Sequence, residues 1–421
     1  MSTVASAASP DGRYEAFARA LVAEGTITDP WLAGEPRFES EPVVVDRAFA
    51  AELAGAAEDL AQVYDELVQL ALDDEAVLDD FFGLTASQKA MFFASAPRWH
   101  GVARVDLFLT EEGLVTSEIN CDTPTGEAEA VVLGALAAAG HTGGARDPSA
   151  TLGRRFVAMV ERMFQRLAGD SPRSVGIVYP TEFTEDLSLV RLYRRWLGEA
   201  GWDVVLGSPY NLGRDEDGRA TLFDRPLGVL LRHYKTDWWG ERASAWQDDR
   251  IEDTAPLVAA LNAAIGAEVD GKTAVINPFA SVLPQNKRSM AFMWEYIHRF
   301  GRRSQSIIER LVPVSSRLET LHPELVRAAR EDWVIKSDYG AEGEEVVIGR
   351  DLGQDAWLSS LALARPGRWI AQRHFDAKRD ARGRIANYGV FLVAGQAAGL
   401  YLRLADGAHD ASALSTPILV K

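Results

Sequence analysis

The sequence predicts a protein of mixed α+β and α/β class that contains a small doubly wound α/β domain. Strand and helix patterns alternate between residues 171 and 285, which is typical of a parallel sheet with helices on its faces. Two runs of alternating polar and apolar residues before position 121 predict a β-hairpin. The last third of the chain combines helices with short strands, which indicates antiparallel pairing.

Composition limits the classes of function. The chain has 421 residues, of which 47% are hydrophobic, and a formal charge of -17. Such a charge repels nucleic acids and anionic membranes. No apolar run approaches the ~20 residues of a membrane span, and the first residues lack the pattern of a signal peptide. With a single cysteine, we expect a cytoplasmic protein without disulfides; its oligomeric state stays open.

The first 170 residues predict an N-terminal segment and then a helical region with the hairpin. Residues 1–40 are rich in Ala, Gly, Pro and Ser, and we expect them to be partly disordered. Residues 47–82 repeat apolar side chains at three- and four-residue steps, which predicts an amphipathic helix. The hairpin follows, and two further helices are predicted over residues 126–139 and 150–168. We group 41–170 as one unit.

Four polar side chains share one face of the predicted hairpin. Because side chains alternate between the faces of a strand, Arg104 and Asp106 lie on the same side, and Glu118 and Asn120 do too. Asp106, Glu118 and Asn120 offer only hard oxygen ligands, the type that Mg²⁺ prefers. Either they hold a metal ion, or they form a solvated face with a cross-strand Arg104–Glu118 ion pair.

Residues 171–285 carry the strands of the doubly wound domain. We interpret one motif of this range, and the single cysteine that precedes the range, as structural. The segment GAEVDGKT (266–273) has the spacing of a P-loop, but a helix precedes it and an extended run follows. A P-loop needs the opposite order, so that a helix N-terminus meets the phosphates. We therefore predict an ordinary turn. Cys121 has no histidine nearby in sequence, and we expect it to pack in the core rather than to act as a nucleophile.

Residues 286–421 carry two lysines in unusual places. Lys287 opens a predicted helix, where a lysine is unusual unless an anion compensates it. Lys336 ends a predicted strand, and Gly340 and Gly343 follow in a loop that could bring backbone N–H groups to an anion. The alternative is a plain hairpin with a solvated lysine.

Together these segments resemble the synthetase domain of glutathionylspermidine synthase, a circularly permuted ATP-grasp ligase, from about residue 60 to the C-terminus. In that family an Arg-x-Asp segment and a later Glu-x-Asn segment bind two Mg²⁺ ions. The same residues occur here at the family's spacing, with Asp106 and Glu118 twelve positions apart. The resemblance therefore implies that the metal ligands are Asp106, Glu118 and Asn120.

The resemblance also assigns residues to ATP and to the substrates. LPQNKRSMAFMWE is similar to the family's Asn-Lys helix, IKSDYGAEGEEVVIG to its phosphate loop, and RWIAQRHF to the strand that leads to an adenine-contacting Gln. The implied ATP-binding residues are Lys287, Lys336, Gly340, Glu342, Gly343 and Gln372. Arg104 and Arg403 would take part in catalysis. The implied substrate-binding residues are Thr123, Thr125, Glu185 and Thr236.

The implied fold is a circularly permuted ATP-grasp fold, with residues 171–285 as the pre-ATP-grasp domain and 286–421 as the nucleotide-binding lid region. The implied activity is ATP-dependent carboxylate–amine ligation. ATP phosphorylates a small carboxylate, and a small amine attacks the acyl phosphate, while the loop at 337–345 closes over the phosphates. Two alternatives stay open: a nucleotide-binding protein without turnover, and an enzyme that passes its acyl phosphate to a non-amine acceptor.

Two positions depart from the family pattern. Ala341 stands where the family's phosphate loop has an arginine, and Ser337 where it has a proline. A missing guanidinium removes a charge-assisted contact to an anionic substrate. We therefore expect an acid other than glutathione. The acidic chain, with Glu185 and Glu241 on the expected amine side, favours a cationic or amino-acid-like amine.

Overall fold

The structure, a computed structural model, describes residues 10–241, 254–340, 345–364, 367–407 and 413–421. In these ranges every helix is too short or too polar to span a lipid bilayer. The α-helices are α1 (Pro10–Glu24), α2 (Arg47–Asp73), α3 (Ala76–Asp80), α4 (Ala86–Ser95), α5 (Glu127–Gly140), α6 (Leu152–Ala168), α7 (Leu187–Glu199), α8 (Trp238–Glu241), α9 (Thr254–Val269), α10 (Val282–Gln285), α11 (Arg288–Glu295), α12 (Arg302–Leu311), α13 (Pro323–Ala328) and α14 (Gln354–Leu363).

The strands form three larger sheets and several small ones in the described part of the chain. Their bounds are β1 (Trp31–Leu32), β2 (Glu35–Pro36), β3 (Val43–Val45), β4 (Val102–Leu109), β5 (Leu114–Asn120), β6 (Ser174–Val178), β7 (Asp203–Gly207), β8 (Leu212–Arg214), β9 (Ala220–Leu222), β10 (Arg225–Pro226), β11 (Val229–Arg232), β12 (Ala274–Ile276), β13 (Ser315–Arg317), β14 (Trp333–Ser337), β15 (Val346–Ile348), β16 (Trp369–Arg373), β17 (Ile385–Val393), β18 (Gln396–Ala405), β19 (Leu414–Thr416) and β20 (Ile418–Val420).

Four parallel strands in the order β12-β11-β6-β7 form the predicted doubly wound domain. Alternate residues of β11 belong to two different cores. Val229 and Leu231 share a core with side chains of α6 and α7, whereas Leu230 shares one with side chains of α9. Helices therefore cover both faces of this sheet, which explains why its strands are apolar at consecutive positions.

A five-stranded antiparallel sheet in the order β19-β18-β17-β4-β5 contains the predicted hairpin. The hairpin is β4 and β5, and β17 from the last part of the chain pairs with β4. Helix α2 packs on this sheet and buries Leu53, Leu60 and Leu67 completely. The sheet thus brings the last part of the chain beside the polar hairpin residues.

Helix α2 is shorter than the sequence predicts. Its first turn is capped by Asp46, whose side chain accepts a hydrogen bond of 2.7 Å from the Phe49 N–H. The sequence predicts one helix through residue 82, but α2 ends at Asp73, and a separate short helix, α3, follows. The acidic run Asp73-Asp74-Glu75 explains the break, because carboxylates are unfavourable at the negative end of a helix dipole.

A four-stranded antiparallel sheet in the order β13-β16-β14-β15 carries Lys336 and Gln372. Lys336 lies on β14, which is buried along its whole length, and Gln372 lies on β16 opposite Val334. The connection from β14 to β15 runs through residues 341–344. These residues, including Ala341 and the predicted ATP-binding Glu342 and Gly343, lie outside the described part of the chain.

Two sequence motifs have the structural roles that the sequence predicts. The P-loop-like segment begins in the last turn of α9 and ends directly before β12, and Gly271 adopts a left-handed φ of 64° in the turn between these two elements. Lys272 in this turn is exposed. Cys121 is fully buried, and burial raises the pKa of its thiol. Neither segment has the geometry of a catalytic motif.

Helix α1 lies within the N-terminal segment for which composition predicts partial disorder. Its Tyr14 and Leu21 are buried in one cluster with Val132 and Leu133 of α5. This packing against a helix more than a hundred residues away supplies the apolar contact that a short helix needs in water. The amino-acid composition of residues 1–40 contains no sign of that contact.

Candidate active site

The hairpin brings its four polar residues together as predicted. Arg104 pairs with Asn120, and Asp106 pairs with Glu118, across β4 and β5. Directly opposed residues of an antiparallel pair lie on the same face of the sheet. The ladder shifts register immediately after Asp106, so the regular alternation ends where the polar set ends.

Asp106 is held by arginines on two strands. Arg104 donates from Nε to Oδ1 at 2.6 Å and from Nη2 to Oδ2 at 2.9 Å, and Arg403 on β18 lies 3.4 Å from Oδ2. Burial disfavours the charged carboxyl, but Arg104 and then Arg403 outweigh it and hold the pKa of Asp106 below its usual range. Arg104 thus pairs with Asp106 on its own strand, and the predicted alternative of an Arg104–Glu118 pair is wrong.

Glu118 faces two buried lysines. Lys287 Nζ lies 3.4 Å from Glu118 Oε2, and Lys336 donates to the Ser117 carbonyl at 3.1 Å. Burial opposes ionisation of Glu118, but the lysines lower its pKa. Burial lowers the pKa of Lys336 to about 8, although Glu118 favours its charged form. Lys336 is therefore buried, so the solvated lysine of the alternative is wrong, although β14 and β15 do pair as a hairpin.

The start of the glycine loop is held by lysines from two directions. Lys287 donates from Nζ to the carbonyl of Gly340, and Lys235 donates to the carbonyl of Tyr339 at 3.3 Å. The Gly340 N–H donates to Ser337 Oγ at 3.0 Å. An anion accepts a hydrogen bond from an ammonium group more strongly than a neutral carbonyl does. Phosphate oxygens at this position could therefore replace the loop carbonyls as acceptors for these lysines.

Cationic side chains from four elements converge on this cluster. Arg104, Arg403, Lys287 and Lys336 surround the carboxylates of Asp106 and Glu118. All four lie at buried or half-buried positions. Cationic groups that are held in place in this way fit an anionic ligand such as a polyphosphate.

The oxygen donors on the same face fit a hard divalent cation. The described residues contain no cluster of three or more His, Cys, Asp or Glu side chains arranged for a metal. An ion here would rely on the two carboxylates together with amide oxygens and phosphate, as Mg²⁺ sites do. Hydrogen bonds to Arg104 leave further lone pairs on the Asp106 oxygens.

Asn387 belongs to this face and is absent from the sequence-based set. Its Nδ2 donates to Asp106 Oδ2 at 3.4 Å, while its Oδ1 is buried and has no hydrogen-bond partner within the described residues. An unpaired amide oxygen beside Asp106 is a further candidate ligand for a cation. In the sequence, Asn387 is visible only as one amide in an otherwise apolar strand. That pattern does not predict that the strand pairs with β4.

The predicted substrate residues lie in two different places, the segment after the hairpin and the α/β domain. The Thr125 carbonyl accepts a hydrogen bond of 2.7 Å from Arg104, and Thr123, also half-buried, lies on the same segment. Thr236 is buried and donates from N and Oγ1 to Asp122 Oδ2 at 2.6 and 3.1 Å. Glu185 is exposed, and its neighbour Asp186 contacts His233. Only the threonines therefore lie in close contact with the hairpin segment.

Asp122 connects this segment to the α/β domain. Arg232 Nη1, fully buried, lies 2.6 Å from Asp122 Oδ1, and Ser281 donates to the same oxygen at 3.0 Å. With the two bonds from Thr236, the buried carboxylate is surrounded by donors. The pairing was not predicted, because the two partners are far apart in sequence and neither belongs to a local pattern.

We expect Asp122→Asn to lower the free energy of unfolding by about 3–5 kcal/mol, because Arg232 would keep a buried charge without its counter-ion. Thermal unfolding followed by circular dichroism measures the effect. Asp270→Asn is the matched control, since the pair of Arg214 and Asp270 is partly exposed and such pairs contribute less than about 1 kcal/mol. Equal decreases in Tm for the two variants would contradict the structural role of Asp122.

Gln372 lies in the interior of its sheet. Its Nε2 donates to Ser315 Oγ at 3.1 Å and approaches Met290 Sδ at 3.5 Å. The side chain is almost fully buried. Its predicted contact with adenine stays a prediction, because a ligand would have to reach the Gln372 main chain or displace these contacts.

Comparisons with known proteins place these observations in one family. The sequence profile of the glutathionylspermidine synthase pre-ATP-grasp family matches residues 32–413. The fold is similar to that of a glutathione synthetase-like effector from Globodera pallida, with a TM-score of 0.62 and 10% identity over 99% of this chain and 98% of that one. A putative gamma-glutamylcysteine synthetase from Methylobacillus flagellatus has a TM-score of 0.47 and 15% identity over 84% of each chain. No curated protein matches.

The family match covers most of the chain, and it includes the hairpin, the parallel sheet and both lysines. The predicted fold class, a circularly permuted ATP-grasp fold with a small doubly wound domain, is confirmed. The chain belongs to the glutathionylspermidine synthase pre-ATP-grasp family.

Proposed function

We propose that the protein is an ATP-dependent carboxylate–amine ligase that forms an amide through an acyl phosphate and releases ADP. The observation that carries this proposal is the convergence of four cationic side chains around Asp106 and Glu118. Two buried lysines and two arginines converge on a face that also offers oxygen donors for a cation. Charge that develops during phosphoryl transfer is stabilised by groups of this kind, held in place before the reaction.

The lysines and arginines have separate tasks in this reaction. Lys287 and Lys336 would bind phosphate oxygens, because both are buried and, within the described residues, both donate only to neutral carbonyls or approach Glu118. Arg104 would orient the acid or its acyl phosphate. Its Nη1 already reaches the Thr125 carbonyl, so the guanidinium lies between the hairpin and the segment of the proposed substrate threonines.

Asp106, Glu118 and Asn120 would hold Mg²⁺, with Asn387 as a further oxygen donor. The metal, when bound, supplies positive charge that neutralises the transferred phosphoryl group. The chain's own contribution is to keep these oxygens fixed: Arg104 orients Asp106, and Lys287 orients Glu118. Side chains that are already oriented lose little entropy when the ligand binds.

Measurement of ADP release tests the proposal. The purified protein is supplied with MgATP and pairs of acids and amines, namely the proteinogenic amino acids and glutathione as acids, and putrescine, spermidine and amino acids as amines. ADP release that needs both partners supports ligation. Release with the acid alone indicates a non-amine acceptor or hydrolysis, and ATP binding without any release indicates a binding protein; either result would contradict the proposal.

We predict that the productive amine is cationic or amino-acid-like and that glutathione is not the acid. Ala341 removes the guanidinium that a polyanionic tripeptide would contact, and the chain carries a charge of -17. Asp186 and the exposed Glu185 lie together on the α/β domain. Their field concentrates a cationic amine, so the KM for that amine should rise with ionic strength.

The control for this prediction is a neutral amine of similar size, whose KM should change little with salt. Mass spectrometry of the products identifies the conjugate. Robust ADP release with glutathione and spermidine, together with their conjugate, would refute the substrate prediction but leave the ligase assignment intact.

A further inference from the structure

Glu127 is a buried carboxylate that the mechanism above does not use. It is the first residue of α5, after Gly126 turns the chain with a left-handed φ of 97°. Its side chain is 1% exposed. Oε1 accepts a hydrogen bond of 3.0 Å from the Tyr193 hydroxyl, whereas Oε2 has no partner within the described residues. A buried oxygen without a hydrogen-bond partner is unfavourable, so it is a candidate to bind a proton or a ligand.

A histidine lies on the neighbouring α/β domain. His233 directly follows β11, its N–H donates to the Val178 carbonyl at 2.7 Å, and its Nε2 lies 3.2 Å from Asp186 Oδ1. Asp186 follows β6 in the chain. Both residues therefore lie at the carboxyl edge of the parallel strands, where open α/β sheets bind their ligands.

These groups interact electrostatically. Burial raises the pKa of Glu127 to about 7, while Tyr193, His233 and Arg104 favour its charged form. Burial opposes the charge on His233, but Asp186, Glu127 and Asp122 raise its pKa. Burial and Glu127 keep the pKa of Tyr193 well above its usual value, so the hydroxyl stays a donor. The pKa of Glu127 therefore lies near neutral pH, and the pKa of His233 lies above its usual value.

Exposure increases along this set of residues. Glu127 is 1% exposed and His233 6%, whereas the side chain of Asp186 is 20% exposed. The buried end lies close to the proposed reaction centre, since Glu127 is two residues beyond Thr125, whose carbonyl binds Arg104. The set thus extends from the proposed acyl site to the surface of the α/β domain.

We propose that Glu127 accepts the proton that the ammonium form of the amine substrate loses before its nitrogen attacks the acyl phosphate, and that His233 and Asp186 pass this proton towards solvent. The proposal rests on the proposed ligase function. An ammonium group must lose one proton before its nitrogen can attack and a second when the amide forms. The new C–N bond replaces the C–O bond to phosphate, which leaves with one proton, and the other proton goes to Glu127.

Glu127→Gln tests this role, because the amide keeps an acceptor for Tyr193 but cannot take up a proton. With the best acid–amine pair from the ADP screen, we expect amine-dependent turnover at neutral pH to fall about 10-fold. This is less than the ~10²-fold that a general base usually contributes, since His233 remains. The unprotonated carboxylate is the acceptor, so the wild-type rate should rise with pH through about 7, and the variant should lack this rise.

Hydroxylamine separates proton transfer from a structural effect. It is uncharged near neutral pH and attacks acyl phosphates without first losing a proton to the protein. Hydroxamate formation by Glu127→Gln should therefore equal that of wild type. The matched control is Glu129→Gln in the same helical turn, because Glu129 is also buried but pairs with Arg37. It should retain both activities.

A nitrogen-15 NMR titration of His233 measures the coupling independently of turnover. The pKa of His233 should be lower in Glu127→Gln than in wild type, because a carboxylate that raises it has been removed. An unchanged value, or equal losses of hydroxamate and amide in Glu127→Gln, would overturn the proton-acceptor role. Wild-type protein that forms neither product with any acid of the screen would overturn the ligase assignment and this inference together.

Discussion

Glu118→Gln is expected to lower kcat by on the order of 10²-fold or more, the largest loss that we predict. The variant keeps the shape of the side chain but removes a negative charge from the face that carries Asp106, Asn120 and Asn387. That charge has two roles in the proposed reaction. It would bind Mg²⁺, and it already neutralises Lys287 at 3.4 Å. Steady-state ADP release over a range of Mg²⁺ concentrations measures the loss.

Glu111→Gln is the control for this experiment. Glu111 belongs to the turn of the same hairpin, but its side chain is 82% exposed and pairs with Lys378 at the surface. Its replacement should leave kcat and the Mg²⁺ dependence unchanged. Circular dichroism should show that both variants are folded, since Glu118 sits beside buried lysines. Wild-type turnover by Glu118→Gln at low Mg²⁺ would exclude a metal role for this face.

Local patterns predicted one part of this site. Alternation along two neighbouring strands is sufficient to place Arg104, Asp106, Glu118 and Asn120 on one face, because a hairpin fixes its own register. A lysine at a helix start and another at the end of an apolar strand are also local signals, and both side chains are buried. The P-loop-like segment was correctly predicted to be an ordinary turn for the same reason, since the order of helix and strand around it can be read from the local sequence.

The remaining contacts depend on tertiary packing. Asn387 reaches Asp106 across 281 positions of the chain, and Arg232 reaches Asp122 only because β11 ends beside the hairpin segment. Periodicity and spacing carry no information about such pairs. The end of α2 at Asp73 was not predicted, because it depends on the balance of charge at the helix end. The burial of α1 was not predicted either, because it depends on contact with a distant helix.

Glu127 shows how the two kinds of information combine. The turn TPTG before it predicts a helix start near residue 126, and the helix begins at Glu127. An acidic residue in the first turn of a helix is ordinarily explained by the helix dipole. The structure adds what the sequence lacks, namely that one oxygen of this carboxylate is buried without a partner in the described residues and that His233 lies near enough to shift its pKa.

Lys336→Ala should weaken nucleotide binding and lower kcat/KM for ATP by on the order of 10²-fold, the usual effect of removing one donor to developing charge. The ammonium group is nearly fully buried, donates to the Ser117 carbonyl and interacts with Glu118. Alanine removes one of the two lysines that would bind the phosphate oxygens. Titration calorimetry with MgATP and the rate of ADP release measure the two effects separately.

Lys272→Ala is the matched control, because Lys272 lies in the P-loop-like segment that satisfies the nucleotide-binding spacing. It is exposed in the turn between α9 and β12, and no helix N-terminus follows it. Its replacement should change neither the Kd for MgATP nor kcat. The two variants thus compare a lysine that lies in the cation cluster of the fold with a lysine that only matches a nucleotide-binding sequence motif. Loss of ATP binding in Lys272→Ala, with normal binding in Lys336→Ala, would move the nucleotide site to the α/β domain.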